Sequence, residues 1–220
     1  MQLKKQTGFT LVEIAIVLVI VGLLIGGVLK GQEMITNAKL KRIESDNAGI
    51  AAAMFSYQDR YLQLPGDDGG ASGRFDVYSA GSSPLSVKAN GDGDGVIGAG
   101  GDWNATIIPW TEFGEETLKF FAHLRAAGLV PGGGTDSTRP TNAYGGQIGI
   151  QDGALNISGH VTVFGAIEGP IAKILEGRLD DGQGDTGRIQ SAITKDDMAD
   201  PAKAITVYDD AERYDMAFRL

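Results

Sequence analysis

The chain has no cysteine. That excludes disulfide frameworks, thiol nucleophiles and Cys-ligated zinc or iron–sulfur centres. Histidine is scarce: the 2 present, His123 and His160, lie far apart and form no metal-hydrolase pair. An excess of basic charge is also missing. Against 19 Lys and Arg stand 28 Asp and Glu, for a net charge of −9. A nucleic-acid binder needs a basic surface to face phosphates, so no nucleic-acid partner is expected. No nucleophile–base arrangement and no phosphate loop beside a strand can be read from the chain. Acids are plentiful, which leaves a carboxylate-pair glycosidase as the enzyme class still open.

What the chain has in excess is glycine, 33 of 220 residues, about double the usual ~7%. The spacing is aperiodic, which rules out collagen. Hydrophobic residues make up 42% and mean hydropathy is −0.05, the averages of an ordinary soluble globule. Those averages conceal a split. Residues 9–29, FTLVEIAIVLVIVGLLIGGVL, are apolar except for Thr10 and Glu13. As a helix they span roughly 31 Å, about one hydrocarbon core. The preceding MQLKKQTG carries Lys4 and Lys5 and no acid, which keeps the N-terminus cytoplasmic. The run is too long for a secretory h-region, and Val28-Leu29-Lys30 offers no small-residue cleavage site.

Two details set this segment apart from a plain signal anchor. Glu13 is a carboxylate inside an apolar span, where a charge near the middle costs about 3 kcal/mol and usually has a partner. Gly8-Phe9 is a sharp polar-to-apolar boundary. A cut there creates an amino terminus at Phe9, on the same helix face as Glu13 four residues on. An ammonium and a carboxylate can then neutralise each other, within one chain or between staggered chains.

KKQTGFTLVEIAIVLVIVGLL resembles the N-terminal signature of type IV pilins and type II secretion pseudopilins. The resemblance implies cleavage after Gly8 by a membrane prepilin peptidase and N-methylation of Phe9. It also implies pairing of Glu13 with the Phe9 amine of a neighbouring subunit during filament assembly. Gly22 and Gly26, and Gly27 and Gly31, repeat at the four-residue spacing that lets helix backbones approach closely. Interior glycines also soften a helix, by about 1 kcal/mol each. Pilins often lose helix in the corresponding stretch, commonly around a proline; this chain has Lys30 near that place, so softening rests on the glycines.

Beyond the span, residues 30–62 keep a helical period. Met34, Ile35, Ala38, Ile43, Ala48, Ile50, Ala52, Met54 and Tyr57 form an interrupted apolar stripe, and Pro65 ends the pattern. One helix is expected over about 9–62, with a break near Gly31 or Gly49 as the alternative. The expected fold is α+β and pilin-like: that helix packed on an antiparallel sheet head with two further short helices. The expected division is a cleaved leader over 1–8, a membrane and assembly half over 9–29, and a head over 30–220.

From Leu64 to about Trp110 the chain reads as loop, opening with LPGDDGGASG. Asn90, Asp92 and Asp94 alternate with glycine before Val96 and Ile97. This is the first two-thirds of an EF-hand-like calcium loop, with Val96 offering its carbonyl. The twelfth position, where a bidentate Glu belongs, is Gly101, so Asp102 or a Glu from the next helix has to complete the shell. The alternative is a flexible Asn-Gly/Asp-Gly turn cluster. Residues 112–127 read as an amphipathic helix closed by Gly128. LPGD, NGDGDGVI and Glu116 with HLxxAGL, in this order, resemble a subgroup of proteobacterial pilin-like proteins. That pattern makes Glu116 the distal calcium ligand. His123 reads as a packed or capped surface residue and His160 as an outward strand residue.

The last third reads as β with one more helix. Gln147–Gln151 and Ala154–Ser158 are expected to form a hairpin turned at Asp152-Gly153, with His160–Phe164 as a third strand. Glu168–Leu179 has helical spacing after Gly169-Pro170. The turn at Asp180-Asp181-Gly182 leads to a strand at Ile189. Asp180, Asp181 and Asp185 read first as a solvated acidic turn, with a second cation as the alternative. Ala204–Tyr208 and Tyr214–Leu220 are expected as short closing strands.

The expected function is a filament subunit of a type IV pilus or pseudopilus, with identical or related subunits and a prepilin peptidase as partners. A minor pilin or tip adhesin is the alternative from the binding class, and a membrane-anchored periplasmic enzyme the remote one. The prepilin is expected in the inner membrane, single-pass, and the assembled subunit in a periplasmic pseudopilus or extracellular pilus.

Overall fold

A computed structural model of the chain describes residues 10–76, 90–98, 103, 116–194 and 197–220. It divides into two units, Met1–Lys41 and Arg42–Leu220, linked by one continuous helix. Helix α1, Leu11–Tyr61, is 51 residues long. No break occurs at Gly31 or Gly49. At its start, Thr10 N and Thr10 Oγ1 each donate to Glu13 Oε2 at 2.8 Å, and Glu13 N donates back to Thr10 Oγ1 at 3.3 Å. This is a capping box, T-x-x-E, which pairs helix-end donors that would otherwise be orphaned. The helix ends at Tyr61, where Leu62 takes a left-handed φ of 57°. Pro65 follows, and it cannot continue a helix.

In the first unit the apolar stretch of α1 is uncovered. Leu11, Leu18, Leu23, Leu24 and Leu29 are among a run of large apolar side chains exposed along it. In the second unit α1 has a buried face made of Ile43, Ile50, Ala53, Met54 and Tyr57. The expected stripe is thereby corrected. Ala48 and Ala52 are exposed because a helix that packs on one side buries only residues within one arc; Met34 and Ile35 are exposed in the first unit, before the buried face begins. Asn47 accepts a hydrogen bond from Thr162 Oγ1, and Glu44 pairs with Arg178 at 3.2 Å.

A short helix α2, Ala71–Arg74, precedes α3, Glu116–Ala126. Four strands then form one antiparallel sheet: β1 Ile148–Ala154, β2 Ile157–Glu168, β3 Ile189–Ile193 and β4 Arg213–Arg219, in the order β1-β2-β4-β3. Helix α4, Gly169–Leu179, joins β2 to β3. The α+β expectation, a long N-terminal helix and an antiparallel sheet with short helices, holds.

Along β2 the side chains alternate. Val161 and Val163 join Trp103, Leu155, Ile157, Met198, Ala192 and Ala217 in one core cluster. Thr162, turned the other way, reaches Asn47 of α1. Both faces of the sheet are therefore covered within this unit.

Three local expectations are corrected. The hairpin turn sits at Leu155-Asn156, not Asp152-Gly153. Leu155 has φ 53°, and the register shifts between Asp152 and Ala154 while Gly153 has φ 67°. The Asp-Gly signal marks a bulge rather than the turn. The second and third expected strands are then one strand, β2. Finally, Ala204–Tyr208 forms no strand. Ser191 of edge strand β3 gives its N–H to Gly184 O and its carbonyl to Ile205 N, so two separate segments occupy the edge and no ladder forms.

Candidate functional site

Three anchored segments converge in the second unit. The Leu64–Gly70 loop is held from two sides. His123 Nδ1, fully buried on α3, accepts the Gly66 N–H at 2.9 Å, with its ring stacked on Tyr57. His123 is therefore a buried fastener, which corrects the surface reading. Asp68, also fully buried, accepts from Tyr57 Oη at 2.7 Å, from Arg74 Nε at 3.0 Å and Nη2 at 3.1 Å, and from Gly70 N at 2.8 Å. Gly66 has φ 95°, and a Cβ there would lie 2.6 Å from the Glu116 carbonyl oxygen. A Cβ at Gly91 would lie 2.3 Å from Asp67 Cα, so the 90–98 loop can rest on Asp67 only because residue 91 is glycine.

This clamp presents Asp67 to the loop. Asp67 Oδ1 accepts from Gly93 N at 2.6 Å and Asp94 N at 3.1 Å, and Oδ2 from Gly95 N at 2.9 Å. Glu116, the first residue of α3, accepts from Asp92 N at 3.0 Å and Gly98 N at 3.1 Å. One carboxylate oxygen from each of Asp67, Asp92, Asp94 and Glu116 lies within 4.8 Å of the others. Asp67 and Glu116 are buried; Asp92 and Asp94 are exposed. Burial pushes the Asp67 carboxyl above its ordinary range despite the glycine N–H donors, and the charges of Asp94 and Asp92 push it further. Burial likewise raises Glu116, with Asp67 and Asp92 adding to it. Lys119 of α3 donates to the carbonyl of Asn90 at 2.9 Å beside this cluster.

Four clustered carboxylates repel one another unless a cation or protons intervene. Calcium binds oxygens at 2.3–2.6 Å, so ligands on opposite sides of one ion stand about 5 Å apart. The 4.8 Å grouping fits such an ion, and the all-oxygen donor set suits a hard cation.

Of the residues singled out from sequence, the structure brings Asp92, Asp94 and Glu116 together. Asn90 is engaged elsewhere: its Oδ1 accepts the Ser72 N–H of α2 at 2.7 Å. Val96 gives its N–H to Asp94 Oδ1 at 2.8 Å. Asp102 lies outside the described residues, as do Gly8 and Phe9. Asp67 was missed. Its signal was the LPGD motif, in which the glycine turn made the acid look like a plain turn former. His160 faces Asp152 across the β1–β2 pair, Nδ1 to Oδ1 at 3.1 Å.

The second feature is the apolar part of α1. It is the one helix among the described residues long and apolar enough to cross a membrane, and none of the side chains in its most apolar window is buried. An added Cβ at Gly22, Gly26, Gly27 or Gly31 would meet nothing within 4 Å among the described residues.

Residues 3–29 match the prokaryotic N-terminal methylation motif. The motif covers the Gly8-Phe9 boundary, Glu13 and three of the four helix-packing glycines, Gly22, Gly26 and Gly27. No curated protein and no solved structure matches the chain. The methylation motif and the long-helix, antiparallel-sheet fold together point to the type IV pilin and pseudopilin group.

Proposed function

We propose that this protein is a structural subunit of a type IV pilus or a related pseudopilus. One observation carries the reading: the methylation motif at residues 3–29 runs into an apolar helix that the described residues leave uncovered. Such a surface needs lipid first and neighbouring copies after assembly. In this reading a prepilin peptidase cuts after Gly8 and Phe9 becomes the methylated amino terminus. Before assembly the subunit sits in the inner membrane with its N-terminus cytoplasmic; afterwards it stands in a periplasmic or extracellular filament.

The capping box supports a role for Glu13. Thr10 holds its carboxylate at the helix N-terminus, where the dipole favours negative charge. The charge is thus kept ready for an ammonium from a neighbour. Wrong stagger leaves it unpaired in apolar surroundings, which sets register. Gly22, Gly26, Gly27 and Gly31 supply the flat surface for close helix approach.

In the head, calcium held by Asp67, Asp92, Asp94 and Glu116, with the Val96 carbonyl and Asp102 as further donors, takes the place of the disulfide that a cysteine-free chain cannot make. The ion neutralises the acids and ties the Leu64–Gly70 loop, the 90–98 loop and α3 into one piece.

Mass spectrometry and electron microscopy of the sheared surface fraction test the filament reading. The expected mature mass is that of residues 9–220 plus one methyl. An intact Met1, or a cut beyond residue 20, overturns it. Glu13→Ala should remain processed and membrane-bound while giving few filaments; normal filament yield removes the register role.

A further inference from the structure

The end of α4 holds a second group of acids that the filament reading does not use. One carboxylate oxygen from each of Glu176, Asp180 and Asp181 lies within 4.8 Å of the others. Asp181 accepts from Gln183 N at 2.8 Å and from Thr186 Oγ1 at 2.6 Å; Asp180 Oδ2 accepts from Ile189 N at 2.7 Å and from Arg188 N. These bonds shape the turn and account for the two aspartates. They do not account for Glu176. Its side chain is fully buried, Oε2 accepts from Tyr208 Oη at 3.2 Å, and Oε1 has no hydrogen-bond partner among the described residues.

We propose that Glu176, Asp180 and Asp181 form a second calcium site, with Glu176 as its buried ligand. Three separate costs meet at this point, and one divalent cation relieves all of them. A buried carboxylate oxygen without a donor is unfavourable. Three carboxylates held this close repel one another. The C-terminal end of a helix carries negative partial charge, which disfavours acids and favours cations. The basic residue of the last turn, Arg178, is engaged by Glu44 instead. The three oxygens fall within the span that one calcium shell covers, and the exposed side of Asp181 leaves room for the waters such sites keep. Asp185, grouped with the two aspartates from sequence, is not part of this cluster; the structure puts Glu176 in its place.

Calcium bound per chain, counted by equilibrium dialysis of the full-length mature protein in detergent at millimolar calcium, tests this. Asp92→Asn with Asp94→Asn changes two exposed side chains and removes the first centre. In that background the protein should keep one equivalent of calcium. Adding Glu176→Gln should abolish it, and adding Asp181→Asn, on the exposed turn, should do the same with the far-UV spectrum unchanged. Terbium in that background should show tyrosine-sensitised emission that is lost in Tyr208→Phe. No uptake in the background, or full uptake after Asp181→Asn, overturns the proposal; the first result means that Glu176 is relieved by a proton instead. If the wild type and the background each bind one equivalent, the first centre fails while this one stands.

Discussion

Gly95 donates its N–H to Asp67 Oδ2 at 2.9 Å across 28 positions of sequence, and Asp67 Oδ1 takes two more N–H groups of the same loop. Both oxygens of one buried carboxylate thus shape the loop that carries Asp92 and Asp94. Asp67→Asn would turn an amide NH2 toward loop N–H groups that need acceptors. It should cost about 1–3 kcal/mol and remove the share of the calcium-dependent rise in Tm that survives in Glu176→Gln. Thermal melts in calcium and in chelator check both.

Asp68 serves structure alone. Burial opposes its charge, but Arg74, Tyr57 and the Gly70 N–H hold its carboxyl below the usual range. A depressed carboxyl contributes stability above its unfolded value of about 3.9, and that stability is lost as pH falls through the folded value. Asp68→Asn should destabilise the head by about 3 kcal/mol at neutral pH, with the difference from wild type shrinking below pH ~4. Urea unfolding at several pH values measures it. Calcium stoichiometry should be unchanged in the folded variant.

Metal-free protein should respond to pH in the opposite sense. Glu176 is pushed up to about 8, chiefly by burial and further by the charges of Asp180 and Asp181, while Tyr208 works the other way. Asp67 and Glu116 are raised as well. A raised carboxyl binds its proton more tightly in the folded state. Stability is therefore highest below the unfolded value near 4.3 and declines as pH rises toward the folded one. In chelator, Tm should fall between pH 5 and 8; saturating calcium should flatten this decline. Glu176→Gln in chelator should remove part of it.

Thr10 and Glu13 allow the cap and the charge to be separated. Gln at the third helical position keeps a capping box without a negative charge. Glu13→Gln should therefore preserve helix content and membrane residence while lowering filament yield as much as Glu13→Ala. Filament yield close to wild type in Glu13→Gln would assign the residue to capping instead.

Gly22 and Gly26 test helix packing between copies. A Cβ added at either position meets nothing within 4 Å among the described residues, and Leu favours helix over Gly by nearly 1 kcal/mol. Gly22→Leu and Gly26→Leu should leave processing and the stability of the monomer intact. Filaments should become fewer or more easily broken by shear, scored by microscopy after graded shearing.

Much of the chain was legible before folding. The apolar run, Glu13 and the Gly8-Phe9 boundary are local facts: a membrane span needs only length and polarity, and a helix face needs only spacing. Glu168–Leu179 was readable for the same reason, since period and Gly169-Pro170 lie within one stretch. The T-x-x-E capping box is also local, written in residues 10–13. Asp152-Gly153 misled, because a positive-φ glycine serves a bulge as well as a turn.

The sequence by itself determined the uncovered apolar helix, its charged exception and the acidic, glycine-rich loop at 90–95. Only the tertiary structure decided which acids meet. Asp67 joins Asp92, Asp94 and Glu116 because His123 and Tyr57 fix the Leu64–Gly70 loop, and Asn90 is drawn away to Ser72. Glu176 meets Asp180 and Asp181 with one oxygen left bare because Tyr208 reaches only the other. The physical reason is the same in both cases. Spacing along a chain specifies neighbours within a turn of helix or a loop, whereas contacts between distant segments, and the burial that raises a carboxyl's proton affinity, exist only once those segments have packed.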